Sequence, residues 1–341
     1  MKRVIVTGGL GFIGSNFINL LLSRGYFVIN VDKVSYSSNK NIFNKKTKNY
    51  VFIKNNLFHS DKNFRILKKF KPIAIFNFAA ESHVDRSIDN PDIFVENNFL
   101  STLKLVEATR KYLKIKKNKK FKFIQISTDE VYGDSVNKKI KTKENDPYQP
   151  SSPYASSKAS GDLLIKSYIK TFKFPGIITN SCNNFGKFQN LEKFIPTIIL
   201  SILKKKNIPI YGNGLQKREW IFVEDHCEAL IYILKKGKAG ENYNIGSGIV
   251  KSNLEVVNKI KNYFSKKYFY NKKISKIKKV IDRPGHDRLY NLNSTKIKSL
   301  GWKIKSNFDN KLEYTVDWYV NNALKFFGKK SLNLKRLGNL K

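Results

Sequence analysis

A doubly wound α/β fold, in which a parallel sheet is covered by helices on both faces and followed by a smaller mixed α/β region, is what this 341-residue sequence predicts. Three observations carry it. Short, nearly all-apolar runs alternate with helical stretches through the first half, as strands buried on both faces require. A glycine-rich turn stands directly between the first such run and the first helix. After about residue 175 the alternation loosens, and Pro196, Pro209, Pro284 and the turns Gly212-Asn213-Gly214 and Gly246-Ser247-Gly248 punctuate shorter elements.

Val4-Ile5-Val6 reads as the first strand and residues 11–23 as the first helix. Residues 27–31, 50–53, 73–78 and 121–126 continue the strand series, and residues 93–110 and 154–173 read as helices. Residues 111–122 read as a Lys-rich loop or fraying helix end. The expected division is residues 1–175, mainly dinucleotide-binding, then 176–325, mainly ligand-binding with an interleaved boundary, and a basic tail at 326–341. A cleft between the two parts is the natural active site.

Composition narrows the classes. A hydrophobic fraction of 41% excludes disorder, and no run reaches the roughly 18 apolar residues that span a bilayer. No secretory leader is legible, because Thr7-Gly8-Gly9 ends the first apolar run early, so a cytoplasmic protein is expected. The two cysteines, Cys182 and Cys227, and four scattered histidines give neither a disulfide framework nor a metal motif. The formal charge of +39 is mostly Lys spread along the chain with abundant Asn, Ile, Phe and Tyr, a signature of A/T-rich coding rather than of a clustered nucleic-acid or membrane surface. It still favours anionic ligands.

Thr7-Gly8-Gly9-Leu10-Gly11-Phe12-Ile13-Gly14 fits a Rossmann-type dinucleotide site. Gly8, Gly11 and Gly14 permit a tight turn, close approach to a pyrophosphate and close helix–strand packing, and the helix N-terminus holds the negative charge. Asp32 ends the second strand, where a carboxylate binds ribose hydroxyls and repels a 2′-phosphate, which favours NAD over NADP. Lys33 beside it is a cation that would tolerate NADP. Farther on, Tyr154 and Lys158 stand one helical turn apart, a phenol beside an ammonium suited to taking a proton from a sugar hydroxyl, and Asp129-Glu130 add an acid and a base. Oxidation alone needs only the Tyr and the cofactor, whereas dehydration needs the carboxyls as well.

Residues 7–14, 127–133 and 154–158 together resemble the extended short-chain dehydrogenase/reductase family. The resemblance narrows at Val31-Asp32-Lys33, Ala79-Ala80-Glu81-Ser82-His83-Val84-Asp85-Arg86-Ser87, Ser127-Thr128-Asp129-Glu130-Val131-Tyr132-Gly133, Ser181-Cys182-Asn183-Asn184-Phe185-Gly186 and Asp282-Arg283-Pro284-Gly285-His286-Asp287-Arg288. These segments are similar to the dTDP-glucose 4,6-dehydratase family, in the same order, over residues 1 to about 320.

The resemblance implies NAD contacts from Phe12, Ile13, Asp32, Lys33, Ser35, Ala79, Ala80, Glu81, Ser82, Asn97, Tyr154, Lys158 and Asn184. Asn56-Leu57 replace the family's usual Asp-Ile pair at the adenine, and Asn56 still offers a carbonyl acceptor. Sugar-nucleotide contacts are implied for His83, Thr128, Asn183, Lys193, Phe194, Pro209, Ile210, Tyr211, Arg218, Asn253, Asp282, Arg283, Pro284, Gly285 and His286. Catalysis is implied for Thr128, Asp129, Glu130, Tyr154 and Lys158: Tyr154 as base at the 4-hydroxyl, Glu130 as base at C5, Asp129 as acid at the 6-hydroxyl and Thr128 near O4. A homodimer joined through residues 93–110 and 154–173 is implied too. A UDP- or CDP-glucose dehydratase, a nucleotide-sugar 4-epimerase and a non-catalytic dinucleotide-binding regulator are the competing readings. An epimerase has no use for Asp129-Glu130, and a regulator has none for Tyr154 and Lys158.

Overall fold

The computed structural model describes residues 1–43, 47–116, 120–137, 140–269 and 274–331. The tail beyond residue 331 and part of the Lys-rich stretch 111–122 lie outside the described residues.

The strands are β1 (Arg3–Thr7), β2 (Phe27–Asp32), β3 (Tyr50–Lys54), β4 (Ala74–Asn77), β5 (Lys122–Thr128), β6 (Gly176–Ser181), β7 (Asn183–Phe185), β8 (Ile208–Tyr211), β9 (Lys217–Phe222), β10 (Asn242–Ile245), β11 (Val250–Ser252) and β12 (Ile277–Val280). Seven of them form one sheet in the order β10-β6-β5-β4-β1-β2-β3, every pairing parallel. The order of its first six strands is that of the Rossmann fold. Strands β1 and β4 lie inside the sheet and bury nearly every residue, whereas the edge strand β3 leaves Phe52 and Lys54 exposed. Two strands of this sheet, β6 and β10, come from beyond residue 175, so the two expected halves interleave.

The helices are α1 (Phe12–Ser23), α2 (Ser60–Phe70), α3 (Val84–Asp89), α4 (Pro91–Phe94), α5 (Ser101–Lys116), α6 (Pro153–Phe172), α7 (Phe194–Leu203), α8 (Val223–Lys236), α9 (Asn253–Lys267), α10 (Thr295–Ser299) and α11 (Phe308–Ser331). One face of the sheet packs Phe17, Phe76 and Ile124 with Leu230 and Trp302. The other packs Ile29, Ile75 and Phe123 with Leu67, Leu105 and Ile165. A third core, with Ile199, Trp220, Val256, Phe264 and Tyr319, holds together a three-stranded sheet (β11-β9-β7), the β12-β8 pair and the helices around them. Each such fully buried side chain contributes about 1.5–3 kcal/mol, which is why the smaller region keeps its shape beside the sheet.

The helix expected over residues 93–110 is interrupted. Val95–Leu100 form a π-helical turn between α4 and α5. The wider turn lets Asn97 accept from Lys33 Nζ at 2.6 Å, while Asn98 Oδ1 accepts from Glu81 N at 2.8 Å and its Nδ2 donates to Ser157 Oγ at 2.9 Å. Local helix geometry is thus given up where it orders the segment after β4.

Candidate active site

Two cavities meet at the C-terminal ends of the parallel strands. The first, of about 210 Å³, is lined by Gly8, Gly11, Phe12, Ile13, Gly14, Asp32, Lys33, Ser35, Asn56, Leu57, Ala79, Ala80, Glu81, Ser82, Asn97, Tyr154 and Lys158. The glycines are there for space. Gly8 has φ of +66°, and a Cβ on it would stand 2.7 Å from Ala79 N, while one on Gly14 would stand 2.6 Å from Gly8 O. No side chain fits either place, so the loop backbone stays open to a pyrophosphate.

Asp32 is held in position by Leu10 N at 3.0 Å, Val34 N at 2.8 Å and Ser38 Oγ at 3.2 Å. Lys33 reaches Glu81 Oε1 at 3.0 Å as well as Asn97, so its charge is met by a carboxylate. Asn56 Oδ1 accepts from Phe58 N at 3.1 Å, an Asx turn that fixes the amide at the wall of the first cavity. A donor set of backbone loop, strand-end carboxylate and buried Tyr–Lys pair fits a dinucleotide.

The second cavity, of about 310 Å³, is lined by His83, Thr128, Glu130, Asn183, Asn184, Lys193, Phe194, Pro209, Tyr211, Arg218, Asn253, Arg283, Gly285 and His286. Tyr154, Ser127, Phe12 and Ile13 line both cavities, so the phenol stands at their junction. Arg218 lies 4.5 Å over the Tyr290 ring, and Arg283 lies 2.6 Å from Asp85 and 5.2 Å over Tyr211. Two guanidinium groups in one cleft suit a diphosphate. Burial and the neighbouring Lys193 lower the His83 pKa to about 3, so it meets a ligand as a neutral imidazole.

Five expected residues stand elsewhere. Asn184 lies on the second cavity, and its amide is occupied within the protein: Nδ2 donates to Cys182 O at 2.9 Å, and Oδ1 faces His226 Nδ1 at 2.8 Å. Ile210 alternates inward along β8 and is 1% exposed, a core residue. Asp282 lines a neighbouring cavity, accepting from Gln216 and facing His286 Nδ1 at 2.7 Å, and Pro284 lines neither main cavity. Asp129 is 2% exposed and stands behind the wall, its Oδ1 accepting from Thr128 Oγ1 at 3.2 Å.

Asp129–Tyr132 form a single 3₁₀ turn at the end of β5, capped by Thr128 Oγ1, which accepts from Glu130 N at 3.3 Å. The cap turns Glu130 into the cavity and Asp129 away from it. Both carboxyls are pushed up by burial. The Glu130 and Glu219 charges raise Asp129 further, well above the carboxylate range, whereas Arg218, Arg283 and Lys193 pull Glu130 back. Two adjacent carboxyls are thereby driven toward an acid and a base.

Ser152 caps α6 through Ala155 N at 3.1 Å, and Ser87 Oγ accepts from Tyr154 N at 3.0 Å, which sets the first turn of the helix against α3. Burial and the Glu130 charge raise the Tyr154 pKa, and a hydrogen bond with Thr128 opposes them. Lys158 is buried with Nζ 2.7 Å from Ile126 O. Burial lowers its pKa, and the charge of Asp162 raises it.

Sequence reasoning passed over several wall residues. Tyr36, Gln189, Asn190 and Glu192 line the first cavity, and Asp85, Asp287 and Tyr290 line the second. Asp85 and Asp287 lie inside the segments singled out above, and their acidity beside the basic neighbours Arg86, His286 and Arg288 is the available signal. Among the described residues no cluster of His, Cys, Asp and Glu could hold a metal ion, and no helix is long and apolar enough to cross a membrane.

Fold and site together define a Rossmann-type enzyme that pairs a dinucleotide with a second, anionic ligand at a Tyr–Lys centre. Residues 5–315 match the family model for GDP-mannose 4,6 dehydratase, and the chain belongs to that family. It is 41% identical over 331 residues to a dTDP-glucose 4,6-dehydratase of Xanthomonas campestris, covering 94% of each chain. It is 42% identical to that of Haemophilus influenzae, covering 95% of this chain and 99% of the other. The crystal structure of the Bacillus anthracis dTDP-glucose 4,6-dehydratase in complex with NAD superposes with a TM-score of 0.85 at 38% identity, over 97% of this chain and all of that one.

Proposed function

We propose that this protein is an NAD-dependent dTDP-glucose 4,6-dehydratase, a hydro-lyase that converts dTDP-glucose to dTDP-4-keto-6-deoxyglucose and water for deoxysugar biosynthesis. The observation that carries the reading is the Asp129-Glu130 turn beside Tyr154 at the junction of the two cavities. The full-length likeness to enzymes of this name supports the nucleotide.

NAD, when bound by the Gly8–Gly14 loop, Asp32 and the Tyr154–Lys158 pair, supplies the hydride acceptor and returns the hydride. The protein's own residues handle the protons. Burial and the Glu130 charge hold the Tyr154 phenol protonated in the free protein. The Lys158 ammonium, with the positive charge that NAD would bring, favours the phenolate that takes the proton of the 4-hydroxyl as C4 is oxidised. The 4-ketone acidifies C5, and Thr128 hydrogen-bonds near O4. Glu130 removes the C5 proton, and Asp129, behind the wall, supplies the proton with which the 6-hydroxyl departs as water by relay through Thr128 Oγ1, which lines the cavity and hydrogen-bonds to Asp129 Oδ1. Glu130 then reprotonates C5 as C6 is reduced. Arg218 and Arg283 hold the diphosphate, and Pro209 and Tyr211 stand at the base.

The partner is a second copy of the chain. Ile93, Val95, Leu163 and Phe172 are 43–53% exposed on the helices around residues 91–116 and on α6, an apolar surface suited to an isologous four-helix seam. A sedimentation mass of one chain would remove this seam. A cytoplasmic setting agrees with Cys182 and Cys227 being free and buried.

The purified protein, with NAD, is to be offered dTDP-glucose, UDP-glucose and CDP-glucose, with mass spectrometry reading the loss of one water. Selective dehydration of dTDP-glucose is expected. Dehydration of another nucleotide would revise the base pocket, and isomerisation of all three would mean that Asp129 and Glu130 have other roles.

A further inference from the structure

Asp162 is fully buried one turn beyond Lys158 on α6, and the functional reading leaves it without a part. Its Oδ2 gathers three donors from three different elements. Ser127 Oγ at the end of β5 donates at 2.6 Å, Tyr148 OH at 3.3 Å and Asn180 Nδ2 on β6 at 3.4 Å. Its Oδ1 is buried with no hydrogen-bond partner. A carboxyl wanted only for packing would not need three converging donors with one oxygen left bare, because a buried unpaired acceptor costs about 1–3 kcal/mol.

The location explains the arrangement. Lys158 Nζ donates to Ile126 O, and Ser127, the next residue, donates to Asp162 and lines both cavities. The ammonium and the carboxylate are thus fastened to adjacent residues of one strand. A buried ammonium without a counter-charge tends to give up its proton. The remaining ionisable groups around Asp162 are Tyr148 and Tyr132 on the far side, with Lys166 4.1 Å over the Tyr148 ring, and Tyr154 on the cavity side. Among the described residues Lys166 is the other cation that the carboxylate supports.

We propose that Asp162 is a positioning residue of the dehydratase centre, a buried counter-charge that keeps Lys158 cationic and holds it through Ser127 at the wall shared by the two cavities. The proposal rests on the functional reading above, in which the Lys158 charge favours the Tyr154 phenolate. Asp162 never meets the substrate. It acts through the field it sets at Lys158 and Tyr154.

Removing this negative charge lowers the proton affinity of both neighbours, so both limbs of the pH profile move the same way. The expected result for Asp162→Asn, which keeps the shape and an acceptor for the donors, is a kcat profile shifted by about one unit to lower pH, with a roughly tenfold loss above neutrality. NAD stays bound, and Asp162→Glu restores the wild-type limbs. A loss of kcat with both limbs unmoved would overturn the proposal, since a purely structural role lowers activity without shifting a titration. Carbon-13 NMR of aspartate-labelled wild-type holoenzyme, with Asp162 assigned through Asp162→Glu, gives a second reading that needs no damaged variant. An ionised Asp162 at neutral pH is expected, and a neutral carboxyl there overturns the proposal. Wild-type protein inert toward sugar nucleotides would instead sink the functional reading.

Discussion

Tyr36 OH donates to Glu192 at 3.0 Å and so ties the loop after β2 to the segment before α7 across the first cavity. Arg86 completes the strap, its guanidinium 3.9 Å over the Tyr36 ring and 3.1 Å from Glu192. Both ends of the strap line the cofactor cavity. Because Tyr36 is half exposed, the hydrogen bond is worth about 0.5–1.5 kcal/mol. Tyr36→Phe is expected to speed NAD release about two- to tenfold, read by stopped-flow displacement, with kcat at saturating NAD unchanged.

Tyr154 stands where the two cavities join, with Lys158 one turn behind it. Tyr154→Phe keeps the ring and removes the base, so the first oxidation should slow by about 10²–10⁴-fold while NAD binding is kept. Rapid-scan absorbance at the reduced nicotinamide band reads the oxidation directly. Near-normal turnover would remove Tyr154 from its role.

Glu130 faces the cavity with Arg218, Arg283 and Lys193 opposing its neutral form. Glu130→Gln leaves oxidation possible and takes away the base at C5. Reduced nicotinamide should then accumulate transiently, and solvent deuterium entry at C5 should fall about 10²-fold or more. Undiminished exchange would point to a different base.

His226 is wholly buried, and burial lowers its pKa from 6.5 to about 3. Between these values the unfolded chain takes up a proton that the folded one refuses. The contribution is complete above pH 6.5 and is lost as pH falls toward 3, at up to about 1.4 kcal/mol per unit. The urea midpoint should therefore drop between pH 6.5 and 4, and His226→Gln should flatten part of that drop. An unchanged slope would place the acid sensitivity elsewhere.

The positions of β1 to β5 were legible because strands buried on both faces read as uninterrupted apolar runs, and the glycines at positions 8, 11 and 14 have one steric reason to be where they are. Tyr154, Lys158 and Glu130 were legible from residue type and spacing and Thr128 from the resemblance; the structure places Lys158 on the first cavity, Thr128 and Glu130 on the second and Tyr154 on both. What local pattern could not carry was placement across the chain. Nothing in Asn242–Ile245 says that it pairs with β6 rather than with nearer strands, and Ile210 is core because β8 alternates. Asp129 and Glu130 look equivalent in sequence, and only the Thr128 cap sends one inward and the other to the cavity. Asp162 carries no local signal, because its meaning depends on Ser127, Tyr148 and Asn180, which the chain supplies from three other segments.

One bound NAD molecule would accept the hydride from C4 and return it to C6 of the same sugar while Tyr154, Asp129 and Glu130 move the protons. The most direct measurement is turnover of dTDP-glucose deuterated at C4, with the product read by NMR. Deuterium at C6, not diluted by added unlabelled NADH, is the predicted result. Deuterium retained at C4, or lost to the added cofactor, would contradict the account.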